Sequence, residues 1–214
     1  MSNTVAGKNA LAAPADRGDG ASLYAVDGGR KYLNRAESQR VLVVVRRLDA
    51  SRALFALTLA WTGARLSEIL ALTPASFQID QGVVALTTLK RRRWIMREVP
   101  IPPALMVELE RHFALAQAQS DQDLARVRFW PWSRVTGWRV IKAAMLEAGI
   151  VGRQACPRGL RDGFGVGALQ AGVPLNLLQR WFGHARISTT AIYTNAAGPE
   201  ERAFAARFWR SAEG

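Results

Sequence analysis

The apolar positions Val41, Leu42, Val44, Val45 and Leu48 recur at the spacing of one helical face, and Asn34 followed by Glu37 makes a capping-box start for that helix. A second helix is expected over residues 51–61. Thr62-Gly63 ends it, because glycine tolerates the left-handed turn that closes helices, and residues 65–72 begin a short new one. After Pro74 the period changes to that of strands, at 77–79, 83–88 and 94–101, with a polar turn at Asp80-Gln81-Gly82 and the basic run Lys90-Arg91-Arg92-Arg93 inside. Pro100, Pro102 and Pro103 close this small antiparallel sheet ahead of a helix over 104–119. Further helices are expected at 133–148, 158–171, 174–182, 188–195 and 199–210, each punctuated by Gly or Pro. The fold class is mainly α (α+β), helical with a small antiparallel β-sheet.

Residues 1–30 lack sustained periodicity, are rich in Ala, Gly, Ser and Asp, and read as a flexible tail; residues 31–214 read as the folded domain. With 214 residues, 49% of them apolar, the chain suits one domain with a sizeable core. Charge sharpens the picture. Twenty-nine Lys and Arg against seventeen Asp and Glu leave +12, and charges cancel within 1–30, so the folded part holds the surplus. A polyanionic partner, nucleic acid, is implied. Cys156 is alone, which excludes an internal disulfide, and with only His112 and His184 beside it a structural zinc cluster lacks ligands. The longest apolar stretch, 53–61, is far short of the roughly 20 residues that span a bilayer, and no secretory signal is evident. An intracellular protein in a reducing compartment, with no membrane role, is expected.

Arg65 and Glu68 lie three apart on one short helix, and Arg158 and Arg161 three apart on another. Alone, an Arg and a Glu at such spacing describe a surface ion pair worth a few tenths of a kcal/mol. The run 181–194 (Trp-Phe-Gly-His-Ala-Arg-Ile-Ser-Thr-Thr-Ala-Ile-Tyr-Thr) adds a His and a Tyr separated by a turn and a Ser-capped helix. Together these segments resemble the catalytic domain of the tyrosine recombinases, or phage integrase family, over about residues 32–198. The stretch from Thr62 to Leu70 is similar to the family's first arginine segment and its companion acid. Lys90 falls on its β-hairpin lysine, Arg158-Gly159-Leu160-Arg161 on its His-x-x-Arg segment, and Gly183-His184 and Tyr193-Thr194 on its last two catalytic stretches.

The resemblance implies a site-specific recombinase that cleaves and rejoins double-stranded DNA without metal or other cofactor. Arg65 and Arg161 would clamp the non-bridging oxygens of the scissile phosphate with paired hydrogen bonds. Tyr193 would attack, leaving a 3′-phosphotyrosyl bond and a free 5′-hydroxyl. Lys90 would protonate the leaving oxygen, or belong with Arg91, Arg92 and Arg93 to a phosphate-binding run; Arg97 and Arg186 would also contact DNA. His184 would hydrogen-bond the phosphate or cap the next helix, and Glu68 would brace the arginines. A homo-oligomer on DNA, a tetrameric synapse, and an accessory or partner recombinase are implied, as is a cytoplasmic, nucleoid-associated location.

The chain departs from the family pattern at several points. Arg158 stands where most members carry the His that helps take the tyrosine proton, and a guanidinium cannot be a base. Water, His184 or the phosphate would have to serve. Asp162, also at a position commonly His, could pair with Arg158 or Arg161. Gly163, Gly165 and Gly167 lie inside a helix, where each costs about 1 kcal/mol relative to Ala, which predicts a helix loosely ordered until DNA binds. A separate DNA-clamping domain has no room, so the chain resembles short members such as the fimbrial phase-variation invertases. The 199–210 helix, with Phe204, Phe208 and Trp209, would dock on a neighbouring protomer or on its own domain. The rival reading is a regulator or accessory protein that kept the fold and DNA binding while losing efficient catalysis.

Overall fold

The computed structural model describes residues 22–90, 93–196 and, beyond them, 201–202, 205–206 and 209–210. It opens with helices α1 (Arg35–Val45), α2 (Ala50–Thr62) and α3 (Leu66–Ile69). The antiparallel strands β1 (Phe77–Gln78), β2 (Val83–Lys90) and β3 (Arg93–Pro100) follow in the order β1-β2-β3. Helices α4 (Pro103–Phe113), α5 (Leu115–Ser120), α6 (Arg134–Glu147), α7 (Pro157–Gln170), α8 (Leu175–Phe182) and α9 (Ile187–Ala191) complete the described domain, with a 3-10 turn at Ile192–Asn195.

Local chemistry explains most of these boundaries. At α1 the Asn34 side chain accepts from the Glu37 amide (2.8 Å) while the Glu37 carboxylate accepts from the Asn34 amide (2.9 Å), so two otherwise orphaned donors are satisfied reciprocally. Helix α2 ends at Gly63, whose φ of 58° is left-handed. A side chain there would be doubly obstructed, since a Cβ would fall 2.4 Å from Phe164 and 2.6 Å from Phe182. Thr58 and Thr62, both fully buried, bond their hydroxyls to carbonyls one turn back and so carry no unsatisfied donor into the core.

The larger apolar core gathers α1, α2, α3, the inner face of the sheet, α4 and α6 around Phe55, Leu59, Ile69, Leu86 and Trp130. A second, smaller core joins Leu23, Tyr32, Val166, Leu178, Phe182 and Tyr193. Its first member corrects the boundary expected at residue 30. Leu23 is 2% exposed, Tyr24 and Arg30 form a bridge, and the Arg30 guanidinium holds Glu37 through two bonds of 2.8 and 3.1 Å. Residues 22–30 therefore pack on the domain, because they carry apolar side chains into a gap beside α7 and α8. Residues 1–21 lie outside the described residues.

The helix expected over 104–119 is two helices. Ala114 breaks it with a φ of 47°, a conformation that costs an L-residue other than glycine roughly 1–2 kcal/mol. Two of the three glycines expected to weaken the glycine-bearing helix sit at close approaches. Helix α7 runs unbroken through Gly163 and Gly165, where a Cβ would fall 2.7 Å from the Leu33 carbonyl and 2.8 Å from the Tyr193 ring. Gly167 meets nothing within 4 Å. Residues 201–202, 205–206 and 209–210 are helical, and Trp209 is exposed; Phe204 and Phe208 lie outside the described residues. No helix among the described residues is long and apolar enough to cross a membrane.

Candidate active site

Four separated parts of the chain meet where α3, β3, α7 and the α8–α9 corner converge. Arg65 precedes α3 with its side chain 42% exposed, and its amide and guanidinium both donate to Glu68, at 2.8 and 3.0 Å. Glu68 is buried and takes further bonds from Arg97 (2.6 and 3.3 Å) and from the Thr88 hydroxyl. Burial opposes its charge, yet the hydrogen bonds and charge of Arg97, with Thr88 and the Arg65 amide, hold its pKa at about 2. Glu68 is therefore an anion fixed between two guanidiniums.

Arg97 does not stand where a DNA contact would. Its side chain is 4% exposed, paired with Glu68, and its Nε donates to the Trp181 carbonyl at 2.6 Å. The physical reason lies in strand alternation: residue 97 shares the inward face of β3 with the fully buried Val99. Arg97 thereby ties the hairpin and α3 to the C-terminal end of α8, and its stem fills the space a Cβ on Gly183 would need. Lys90 and Arg93 face each other as the last backbone pair of the β2–β3 hairpin. Their side chains, and Arg91 and Arg92 altogether, lie outside the described residues. Arg186 is exposed at the start of α9.

Arg161 projects from α7 into this corner and is 8% exposed. It donates to the Gly63 and Phe182 carbonyls, and its guanidinium lies 4.1 Å from the centre of the Phe182 ring. Burial first, then the Arg65 charge, lowers its pKa to about 10, so it stays a cation at neutral pH. Its Nη2 also lies 3.1 Å from His184 Nε2. A guanidinium has no lone pair to offer, so Nε2 is the acceptor and the His184 proton sits on Nδ1, which donates to the buried Thr190 hydroxyl at 3.0 Å. The Gly63 turn and the α8 C-terminus thus aim Arg161, and Arg161 sets the tautomer of His184.

Tyr193 is a member of the small core and is 2% exposed. Its ring lies against Gly165 and Phe182, and its hydroxyl donates to Asp162 Oδ1 at 2.9 Å. Burial and the Asp162 charge push the phenol upward, while Arg161 and Arg158 oppose them. The phenol oxygen is thus turned into the fold, against Asp162, rather than toward solvent. Asp162 does pair with Arg158, whose Nε is 3.5 Å from Oδ2 with a side chain 56% exposed. Its bond to Tyr193 was missing from the sequence reading, although Arg158, Asp162 and Gly165 share one helical face at i, i+4 and i+7. Among the described residues no group of three or more His, Cys, Asp or Glu could hold a metal ion.

The chain is similar to known proteins in sequence and in fold. Tyrosine recombinase XerA of Pyrococcus furiosus is 28% identical over 167 residues, covering 77% of this chain and 57% of that protein. Tyrosine recombinase XerD of Shewanella oneidensis is 33% identical over 142 residues, covering 64% and 46%. The chain thus spans about half the length of the curated relatives it matches. In fold it is similar to a crystal structure of XerA recombinase (TM-score 0.68, 23% identity, 83% of this chain and 64% of that one). It is also similar to the catalytic domain of bacteriophage HP1 integrase (TM-score 0.59, 22% identity, 83% and 94%). Residues 31–199 match the model of the phage integrase family, and on that match, with these relatives and this fold, the chain belongs to that family as a tyrosine recombinase catalytic domain.

Proposed function

We propose that this protein is a site-specific DNA recombinase working through a covalent tyrosine intermediate. The observation that carries the reading is the convergence of Arg65, Glu68, Arg161, His184 and Tyr193, from distant parts of the chain, on one corner of the fold. Arg65 and Arg161 hold the non-bridging oxygens of a backbone phosphate, with Glu68 fixing Arg65 and His184 adding a hydrogen bond. The Tyr193 oxygen attacks phosphorus, the bond to the 5′-oxygen breaks, and Lys90 protonates that oxygen. Reversal by a 5′-hydroxyl from another strand reseals the backbone. Arg91, Arg92, Arg93 and Arg186 hold flanking phosphates, consistent with the +12 charge. Exchange between two duplexes needs one nucleophile per strand, hence a tetramer on DNA. Double-stranded DNA as substrate is supported by the XerH recombinase solved bound to its difH substrate, which shares the fold (TM-score 0.64, 18% identity, 84% of this chain and 53% of that one).

Before attack the phenol has to leave its pocket. Exposing a buried aromatic side chain costs about 1.5–3 kcal/mol. Specific DNA binding supplies about 11–15 kcal/mol at typical affinities, enough to drive that release. The test is a suicide substrate: duplexes selected from a random library by binding, then nicked beside the crossover point so that cleavage cannot reverse. Wild type forms a protein–DNA adduct stable on a denaturing gel and Tyr193→Phe forms none. No adduct from wild type, or an undiminished one from Tyr193→Phe, refutes the reading.

A further inference from the structure

Strand cleavage by a phenol requires a proton acceptor, and the residues around Tyr193 leave one. Arg158 and Arg161 are guanidiniums with no lone pair to offer. The Nε2 lone pair of His184 is held by Arg161 at 3.1 Å, and its Nδ1 faces Thr190. Asp162 is the one acid in hydrogen-bond contact with the nucleophile among the described residues, with Oδ1 2.9 Å from the phenol oxygen. Arg158 Nε lies 3.5 Å from its other oxygen, Oδ2.

We propose that Asp162 is the general base of the cleavage step, accepting the Tyr193 proton as the phenol oxygen bonds to phosphorus. This rests on the reading of Tyr193 as nucleophile. The proton passes from the phenol to Oδ1 while the bond from phosphorus to the 5′-oxygen breaks, and the leaving oxygen takes its proton from Lys90. On resealing, an incoming 5′-hydroxyl gives its proton to Lys90, and the departing phenol oxygen recovers the one held by Asp162. Charges and protons balance, and no further reactant enters.

The fold supports this at two further points. The Tyr193 ring lies against Gly165, one turn beyond Asp162 on the same face of α7, so no side chain stands between ring and helix. As the ring moves out, the phenol oxygen has to stay beside the carboxylate, from which it starts 2.9 Å away. Burial also raises the pKa of Asp162, against the opposing pull of the phenol and of Arg158, and a carboxylate with a raised pKa is a stronger base. The proton acceptor that the sequence lacked at residue 158 is thereby restored one turn later.

The experiment compares single-turnover adduct formation on the nicked duplex, at saturating DNA, for wild type, Tyr193→Phe, Asp162→Asn and Asp162→Asn carrying a polyfluorinated tyrosine at 193. The fluorinated phenol ionises at neutral pH without a base. Asp162→Asn should bind the duplex normally and form adduct about 100-fold or more slowly, and the fluorinated phenol should restore most of that loss. A loss of position or packing would not be recovered by a more acidic phenol. Asp162→Asn forming adduct within about threefold of wild type, or faster, overturns the proposal, as does failure of the fluorinated phenol to restore it. Should Asp162→Asn not bind DNA, Asp162→Ser repeats the comparison under the same criteria. Absence of adduct from wild type overturns the recombinase reading and this proposal together; a defect missing only in Asp162→Asn overturns this proposal alone.

Discussion

Replacing Arg97 with methionine separates a buried structural cation from a DNA contact. The wild-type Arg97 and Glu68 side chains are 4% and 3% exposed and meet at 2.6 Å, so Arg97→Met leaves a carboxylate in a dry site with its main partner gone. Breaking one side of such a buried pair costs about 3–5 kcal/mol. At a sensitivity of about 2–4 °C per kcal/mol for a domain of this size, the melting temperature should fall by about 10 °C. The pH dependence supplies a second, signed test. Glu68 is depressed from its ordinary 4.5 to about 2, so its contribution is fully present above pH 4.5 and is lost as the pH falls toward 2. The full gap is worth about 3 kcal/mol, of which roughly 2 disappear between pH 7 and pH 3. In Arg97→Met, burial acts with much less opposition and moves the Glu68 pKa upward, so the difference in stability between wild type and variant should narrow on acidification by about that amount. Urea denaturation of wild type, Arg97→Met, Glu68→Gln and the double variant at pH 7 and pH 3 measures both effects and the coupling between the two residues. A variant that melts within about 2 °C of wild type, keeps the same pH profile and loses about one unit of salt slope in DNA binding would refute this reasoning and make Arg97 a phosphate contact.

Gly165→Ala and Gly167→Ala form an internally controlled pair on one helix. The first places a methyl 2.8 Å from Tyr193 and 3.0 Å from Phe182 and should destabilise by about 1–3 kcal/mol, while the second meets nothing within 4 Å and should stabilise by about 0.5–1 kcal/mol in the same urea titration. Equal signs for the two would remove the packing account. Ala114→Gly relieves the left-handed φ of 47° at the α4–α5 break and should raise stability by about 0.5–1 kcal/mol; a loss would show that the exposed alanine carries no strain. A difference titration of tyrosinate absorbance between wild type and Tyr193→Phe should show no ionisation of Tyr193 through pH 10, because burial raises its pKa. Stability held by the neutral phenol is present below pH 10 and is lost as the pH rises beyond it. Ionisation at the ordinary tyrosine value would mean that the hydroxyl is open to solvent.

Local order determines what is legible along this chain. The capping box at Asn34 and Glu37, the Gly63 stop, the three strands and the period of α7 all depend on residues within a few positions of one another, so their signals survive in the bare sequence. The basic surplus and the spaced Arg65, Arg158–Arg161, His184 and Tyr193 segments likewise point to a polyanion and to one family before any coordinates. Some of what was missed was also local. Strand alternation from Val99 already turns Arg97 inward, although it follows closely on a run of basic residues.

The rest depends on contacts across the fold. Gly163 and Gly165 cost helix stability when counted alone, but Leu33 and Tyr193, which come from either side of α7 in the chain, occupy the space their missing side chains leave. The pairing of Tyr193 with Asp162 spans 31 residues, and that of Arg97 with Glu68 spans 29. Composition and spacing specify which chemical groups are available; packing decides which of them are dry, which carbonyl aims a guanidinium, and which lone pair is left to take a proton. Desolvation and hydrogen-bond direction are properties of three-dimensional neighbourhoods, and so the sequence alone determined the family of chemistry while only the tertiary structure decided where the proton of Tyr193 rests.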